Sequence, residues 1–191
     1  MDSSGQNIGW RLWARWLLAT LIGYVVGAGF AIVLTGTIGG IASLLGLFHP
    51  RETDLIVGLC VGAAIGLAQV IAVRWVLALN LGWVWGGLVG FGLPFTLDVL
   101  LDEGWLGAIE VPLAWLITVG IIAGALAGII QTAALRRHTP RAGWWTWMSA
   151  ASFGIASLCF FSLDDAGLGL IAGMLVVGVL SGAFLVWLVK D

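Results

Sequence analysis

Few side chains in this sequence could do chemistry, and their spacing narrows what that chemistry would be. Asp98 and Asp102 stand four residues apart with Glu103 adjacent. On a helix that persists past Pro94 the two aspartates share a face, and paired carboxylates of this kind bind a cation or relay protons. Their place at the end of an apolar run points instead to a solvated acidic rim, as for Asp164 and Asp165. Arg136, Arg137, His138 and Arg141 make a compact basic turn around Thr139 and Pro140, beside Trp144 and Trp145. Topogenic charge accounts for this turn, and contact with anionic lipid headgroups is the second reading. His138 has no spaced companion to complete a haem or chlorophyll site, and His49 lies at the opposite edge. Cys60 and Cys159 fall within apolar runs, where a thiol packs as a small hydrophobe, and neither has metal-ligand spacing. The sequence contains no His-Glu-x-x-His helix, Gly-x-Ser-x-Gly elbow or Gly-x-x-x-x-Gly-Lys loop. No catalytic or metal-binding residue is assigned, no cofactor is named, and an enzyme is not expected.

The elements that carry these residues are dictated by composition. The 191 residues are 61% hydrophobic and 9% charged with a mean hydropathy of +1.09, against about 25% charged in soluble domains. A helical crossing needs about 20 apolar residues, so the length accommodates about six crossings and no soluble domain. Six apolar segments answer to this: 14 to 35, 55 to 76, 81 to 101, 111 to 135, 143 to 162 and 166 to 189. Backbone in lipid must be bonded internally, so these are helices. The expected fold class is all-α, a polytopic membrane protein forming one transmembrane domain over 1–191. The apolar run after Arg11 and Arg15 is long enough to span, which favours a retained first helix over a cleaved signal peptide.

Charge sets the expected orientation. Arg11, Arg15, Arg74, Arg136, Arg137, Arg141 and Lys190 fall at the N-terminus, the second and fourth connections or the C-terminus. Arg51 alone is opposite, among Glu52, Asp54, Asp98, Asp102, Glu103, Glu110, Asp164 and Asp165. By the positive-inside rule both termini are cytoplasmic. The net charge of −2 is uninformative about nucleic acid in such a chain, and no nucleic-acid partner is expected.

The most specific pattern is an internal repeat. Gly58, Gly62, Gly66, Gln69 and Arg74 recur 62 residues later as Gly120, Gly124, Gly128, Gln131 and Arg136, and Trp83 and Trp85 recur as Trp145 and Trp147. A partial third copy reads Gly178, Gly182, Leu185 and Lys190, with leucine in place of glutamine. The expected arrangement is three parallel helical hairpins, about 10–76, 77–138 and 139–191, around a threefold axis along the membrane normal. Glycine at every fourth position, in these stripes and in Gly82, Gly86 and Gly90, lets another helix approach closely, either within the chain or from a partner subunit. Gln69 and Gln131 continue the stripes and need polar partners, either neighbouring helices or a lipid, quinone-like or pigment ligand. Residues 36 to 53 are too apolar for a solvated loop and should lie at the interface or extend the first helix. The third connection, with Trp105, Leu106 and Ile109, should lie along the outer interface. Twelve tryptophans, many near predicted helix ends, are expected mainly as interfacial anchors.

The run Gly-x-x-x-Gly-x-x-Gln-x-x-x-x-Arg, followed by a tryptophan-rich helix start, occupies 62 to 85 and 124 to 147, with a degenerate copy at 178 to 190. It resembles a pattern in uncharacterised multi-pass bacterial membrane proteins. That resemblance implies a bacterial cytoplasmic membrane and brings no activity, cofactor or catalytic residue with it. Two functions are expected: an accessory or scaffolding subunit that meets the lipid bilayer and a membrane-protein partner or its own copies, or a small channel or carrier for a neutral or lipidic solute passing near Gln69 and Gln131.

Overall fold

A computed structural model describes residues 3–44, 52–102, 112–163 and 165–190. All regular structure among them is helical. The order is α1 (Ser3–Leu34), a π-helical turn (Thr35–Gly39), α2 (Gly40–Leu44), α3 (Glu52–Val73), α4 (Leu81–Asp102), α5 (Leu113–Leu135), a 3-10 turn (Pro140–Gly143), α6 (Trp144–Ser162) and α7 (Ala166–Val189). Among the described residues four stretches are long and apolar enough to cross a membrane: Gly9–Gly39, Thr53–Val73, Leu113–Leu135 and Leu168–Val189. The apolar part of α4 is shorter, Leu81–Leu97. In α6, 19 residues long, Thr146, Ser149 and Ser152 interrupt the hydrophobic run.

Helix ends follow the hydropathy pattern closely except in α1, which begins near the N-terminus and runs on past its expected end. Its 32 residues continue through 5 of π-helix and 5 of α2, so the rod is roughly 60 Å long at 1.5 Å per residue. Residues 36–44 therefore extend the first helix. The π turn shifts the backbone bonding pattern, and two hydroxyls take up carbonyls there: Thr35 Oγ1 donates to Ala31 O and Thr37 Oγ1 to Val33 O, both at 2.8 Å. α4 does persist past Pro94, as the acidic pairing required. The side chains of Asp98 and Asp102, together with His49, Arg51, Glu103, Trp105, Leu106, Ile109, Glu110 and Asp164, lie outside the described residues.

Each long helix packs antiparallel to its neighbours in the chain, and α7 returns to α1, closing a ring of six. Glycine sets the closeness of this packing. A Cβ at Gly62 would run into the Gly87 carbonyl oxygen. One at Gly66 would lie 2.9 Å from Val84 Cα, and one at Gly58 2.7 Å from the Phe91 carbonyl oxygen. Between α5 and α6 the matching positions do the same: Gly124 meets Ser149 O at 2.5 Å, Gly128 meets Thr146 Cα at 2.7 Å, and Gly120 meets Phe153 O at 3.0 Å. Partner by partner, the second set falls 62 residues after the first. Gly178 and Gly182 face α1, at 2.8 Å from Leu17 Cδ1 and 2.9 Å from Trp16 Cδ1. Gly86 and Gly90 receive α5, at 2.5 Å from Gln131 Cγ and 3.0 Å from Ala127 Cβ, while Gly82 meets only Asn80 of its own capping turn. Each of these glycine faces except that of Gly82 is occupied from within the chain.

One buried cluster unites Leu12, Val73, Leu77, Leu79, Ala134, Ala142 and Leu188 with the three most buried tryptophans. The start of α1, the 74–80 and 136–143 connections and the end of α7 thus share one end of the bundle. A smaller cluster of Val61, Ile65 and Met174, flanked by Tyr24 and Phe91, fills the middle.

Candidate functional site

Three tryptophans from alternate helices of the ring meet inside the bundle. Trp83 near the start of α4, Trp145 near the start of α6 and Trp16 on α1 are 0%, 2% and 1% exposed. Their ring centroids are 5.2 Å apart for Trp83–Trp145, 5.6 Å for Trp16–Trp83 and 5.9 Å for Trp16–Trp145. Two of the pairs are edge-to-face, the arrangement favoured by the ring quadrupoles. These three rings are core rather than interfacial anchors. The other tryptophans at this end face outward: Trp85 and Trp147, two residues beyond the buried ones, are exposed, as are Trp10, Trp75 and Trp144.

A buried indole N–H requires an acceptor, and each of the three has one. Trp83 Nε1 donates to Gln69 Oε1 at 2.9 Å, and Trp145 Nε1 to Gln131 Oε1 at 2.8 Å. The glutamine amides are used a second time. Gln69 Nε2 donates to Thr20 Oγ1 at 3.0 Å, and that hydroxyl donates to Trp16 O at 3.0 Å; Gln131 Nε2 reaches Trp83 O at 3.5 Å. Gln69 thereby ties α3 to α4 and α1, and Gln131 ties α5 to α6 and α4. The glutamines' polar partners lie within the chain.

The third corner is solved differently. Trp16 Nε1 donates to Ser181 Oγ at 2.9 Å, and the serine hydroxyl donates to the Val177 carbonyl one turn back. Leu185, the residue in the glutamine's place, is fully buried beside the triangle. The acceptor has moved one turn along α7 and become a hydroxyl. The sequence alone places Trp83 and Trp145 among the interfacial anchors; the signal that would mark them as buried is a glutamine fourteen residues upstream of each, a spacing that recurs. Trp16 and Ser181, 165 residues apart, carry no such signal.

The remaining sequence candidates sit around this centre. Arg74 stacks over Trp75 with its guanidinium carbon 4.7 Å from the ring, and Arg141 lies over Trp187 at 5.4 Å. Thr139 caps the 3-10 turn by accepting from Arg141 N–H at 3.3 Å, while Arg136, Arg137 and His138 are exposed. Cys60 and Cys159 are free thiols. Among the described residues no three His, Cys, Asp or Glu side chains gather as a metal site. Compared with family models, curated proteins and solved structures, the chain matches none.

Proposed function

We propose that the chain is a six-span bundle of three parallel hairpin repeats, seated in a bacterial cytoplasmic membrane with both termini in the cytoplasm. In this reading it serves as a non-catalytic accessory or scaffolding subunit of a larger membrane complex. The observation that carries the functional reading is the indole triangle. It fills the axis at the basic end with three rings in mutual contact, and every indole N–H is already bonded within the chain. A solute route along the axis would have to displace all three, so the channel or carrier alternative has less support.

The repeat assignment draws on the glycine contacts that recur at a displacement of 62 and on the closure of α7 against α1. The subunit assignment draws on the outer surface. With most glycine stripes occupied internally, the outward faces present large aliphatic side chains such as Leu18, Val25, Ile71 and Ile129, bordered by exposed tryptophans at the basic end. Such a surface suits lipid and the flank of another membrane helix. Purification of the tagged chain from its native membrane in mild detergent, with mass spectrometry of what accompanies it, tests the reading. A stoichiometric polypeptide partner is the expected result. A solitary chain that conducts or exchanges solute in liposomes would overturn it.

A further inference from the structure

A pocket of about 400 Å³ opens at the basic end, where the 74–80 connection, the 136–143 connection and the end of α7 converge. Its walls divide by chemistry. Val76, Leu77 and Leu188 are apolar, and His138, Thr139 and Arg141 supply hydrogen-bond donors. The Thr139 hydroxyl accepts from Arg141 N–H and still carries a hydrogen to donate. Arg74, Arg136, Arg137 and Lys190 are exposed and lie close in sequence to the lining residues, which adds cationic side chains near the mouth.

We propose that this pocket binds the phosphate group of an organic phosphate ester. An arginine, a histidine and a threonine line it together, a set of donor-bearing residues that suits an anion with several acceptor oxygens. The aliphatic walls match the carbon skeleton of the ester. The same chemistry is offered by the headgroup of an anionic lipid and by a soluble phosphate monoester.

The test uses the full chain purified in mild detergent. Native mass spectrometry reads retention of added dioleoylphosphatidylglycerol, and titration calorimetry reads binding of glycerol 3-phosphate. At least one probe binds, and His138→Gln with Arg141→Gln weakens it by about tenfold or more, as expected for lost charge-assisted bonds. Arg136→Gln with Arg137→Gln, which leaves the lining intact, weakens it by less than about threefold. Val76→Trp narrows the pocket without touching a charge and must also weaken binding. If the double lining variant misfolds, His138→Gln alone and Val76→Trp still decide. Lipid retention without calorimetric binding assigns the headgroup as ligand; the converse assigns the soluble ester. Failure of both probes, equal loss in the two charge variants, or unchanged binding in Val76→Trp would overturn the proposal.

Discussion

Replacing Gln131 by leucine turns the second corner of the triangle into a copy of the third without its serine. The Trp145 indole N–H, now bonded to Gln131 Oε1 at 2.8 Å, would be left in a site where the ring is 2% exposed. An orphaned buried donor costs about 1–3 kcal/mol. Interhelical bonds in membranes measure lower, about 0.6 kcal/mol on average and about 1.7 at most. The 3.5 Å contact from Gln131 Nε2 to Trp83 O adds little. Gln131→Leu should therefore destabilise by about 1–2 kcal/mol. α7 itself supplies the remedy. Ser181 lies four residues before Leu185, and Ala127 lies four before Gln131, so Gln131→Leu with Ala127→Ser rebuilds in α5 the arrangement that α7 uses. That double variant should recover at least half of the loss. Removing both partners, Gln131→Leu with Trp145→Phe, should cost less than the sum of the single changes because no donor is orphaned. Equilibrium unfolding in mixed micelles, followed by circular dichroism, gives each value. A Gln131→Leu protein as stable as the parent, or an Ala127→Ser change that restores nothing, would refute the assignment of the glutamine as the indole's acceptor.

Three further outcomes follow from the packing and the proposed orientation. Gly62→Ala and Gly124→Ala each push a methyl into a carbonyl of the facing helix and should destabilise by about 2 kcal/mol or more, whereas Gly29→Ala, with open space beside it, should be neutral or gain about 0.5–1 kcal/mol in the same unfolding assay. Trp16→Ala should cost about 3–5 kcal/mol by cavity formation, while exposed Trp147→Ala should change stability by under about 0.5 kcal/mol. For the orientation, green fluorescent protein fused after Lys190 should fluoresce, and alkaline phosphatase fused after Asp102 should be active; the reverse pair of results would invert the proposed topology.

Hydropathy made the helices legible because in a lipid-soluble chain nearly every apolar run of sufficient length is one. It misplaced the start of the first helix, since hydropathy detects a span and α1 begins among polar residues ahead of it. The glycine stripes announced close approach, but the stripe alone left open whether the approaching helix came from the same chain. Only the contacts of Gly62 with Gly87 and of Gly124 with Ser149 answer that. The tryptophans were hardest to sort. Trp83 and Trp85 are two residues apart in similar surroundings, and one is buried while its neighbour faces outward. What separates them is a glutamine fourteen residues upstream of the first. For Trp16 the acceptor is a hydroxyl on the last helix, and no local pattern marks it.

The seam between α1 and α7 also imposes an order in time. Trp16 leaves the ribosome 165 residues ahead of Ser181. At roughly 5–20 residues per second this interval is roughly 10–30 s. Throughout it the first helix has one of its two flanks uncovered and its indole unsatisfied by the residue that will hold it. Of the six long helices, the first thus waits longest for its second neighbour. The arrival of α7, which carries Leu185 and Leu188 into the closed end, is what covers that flank.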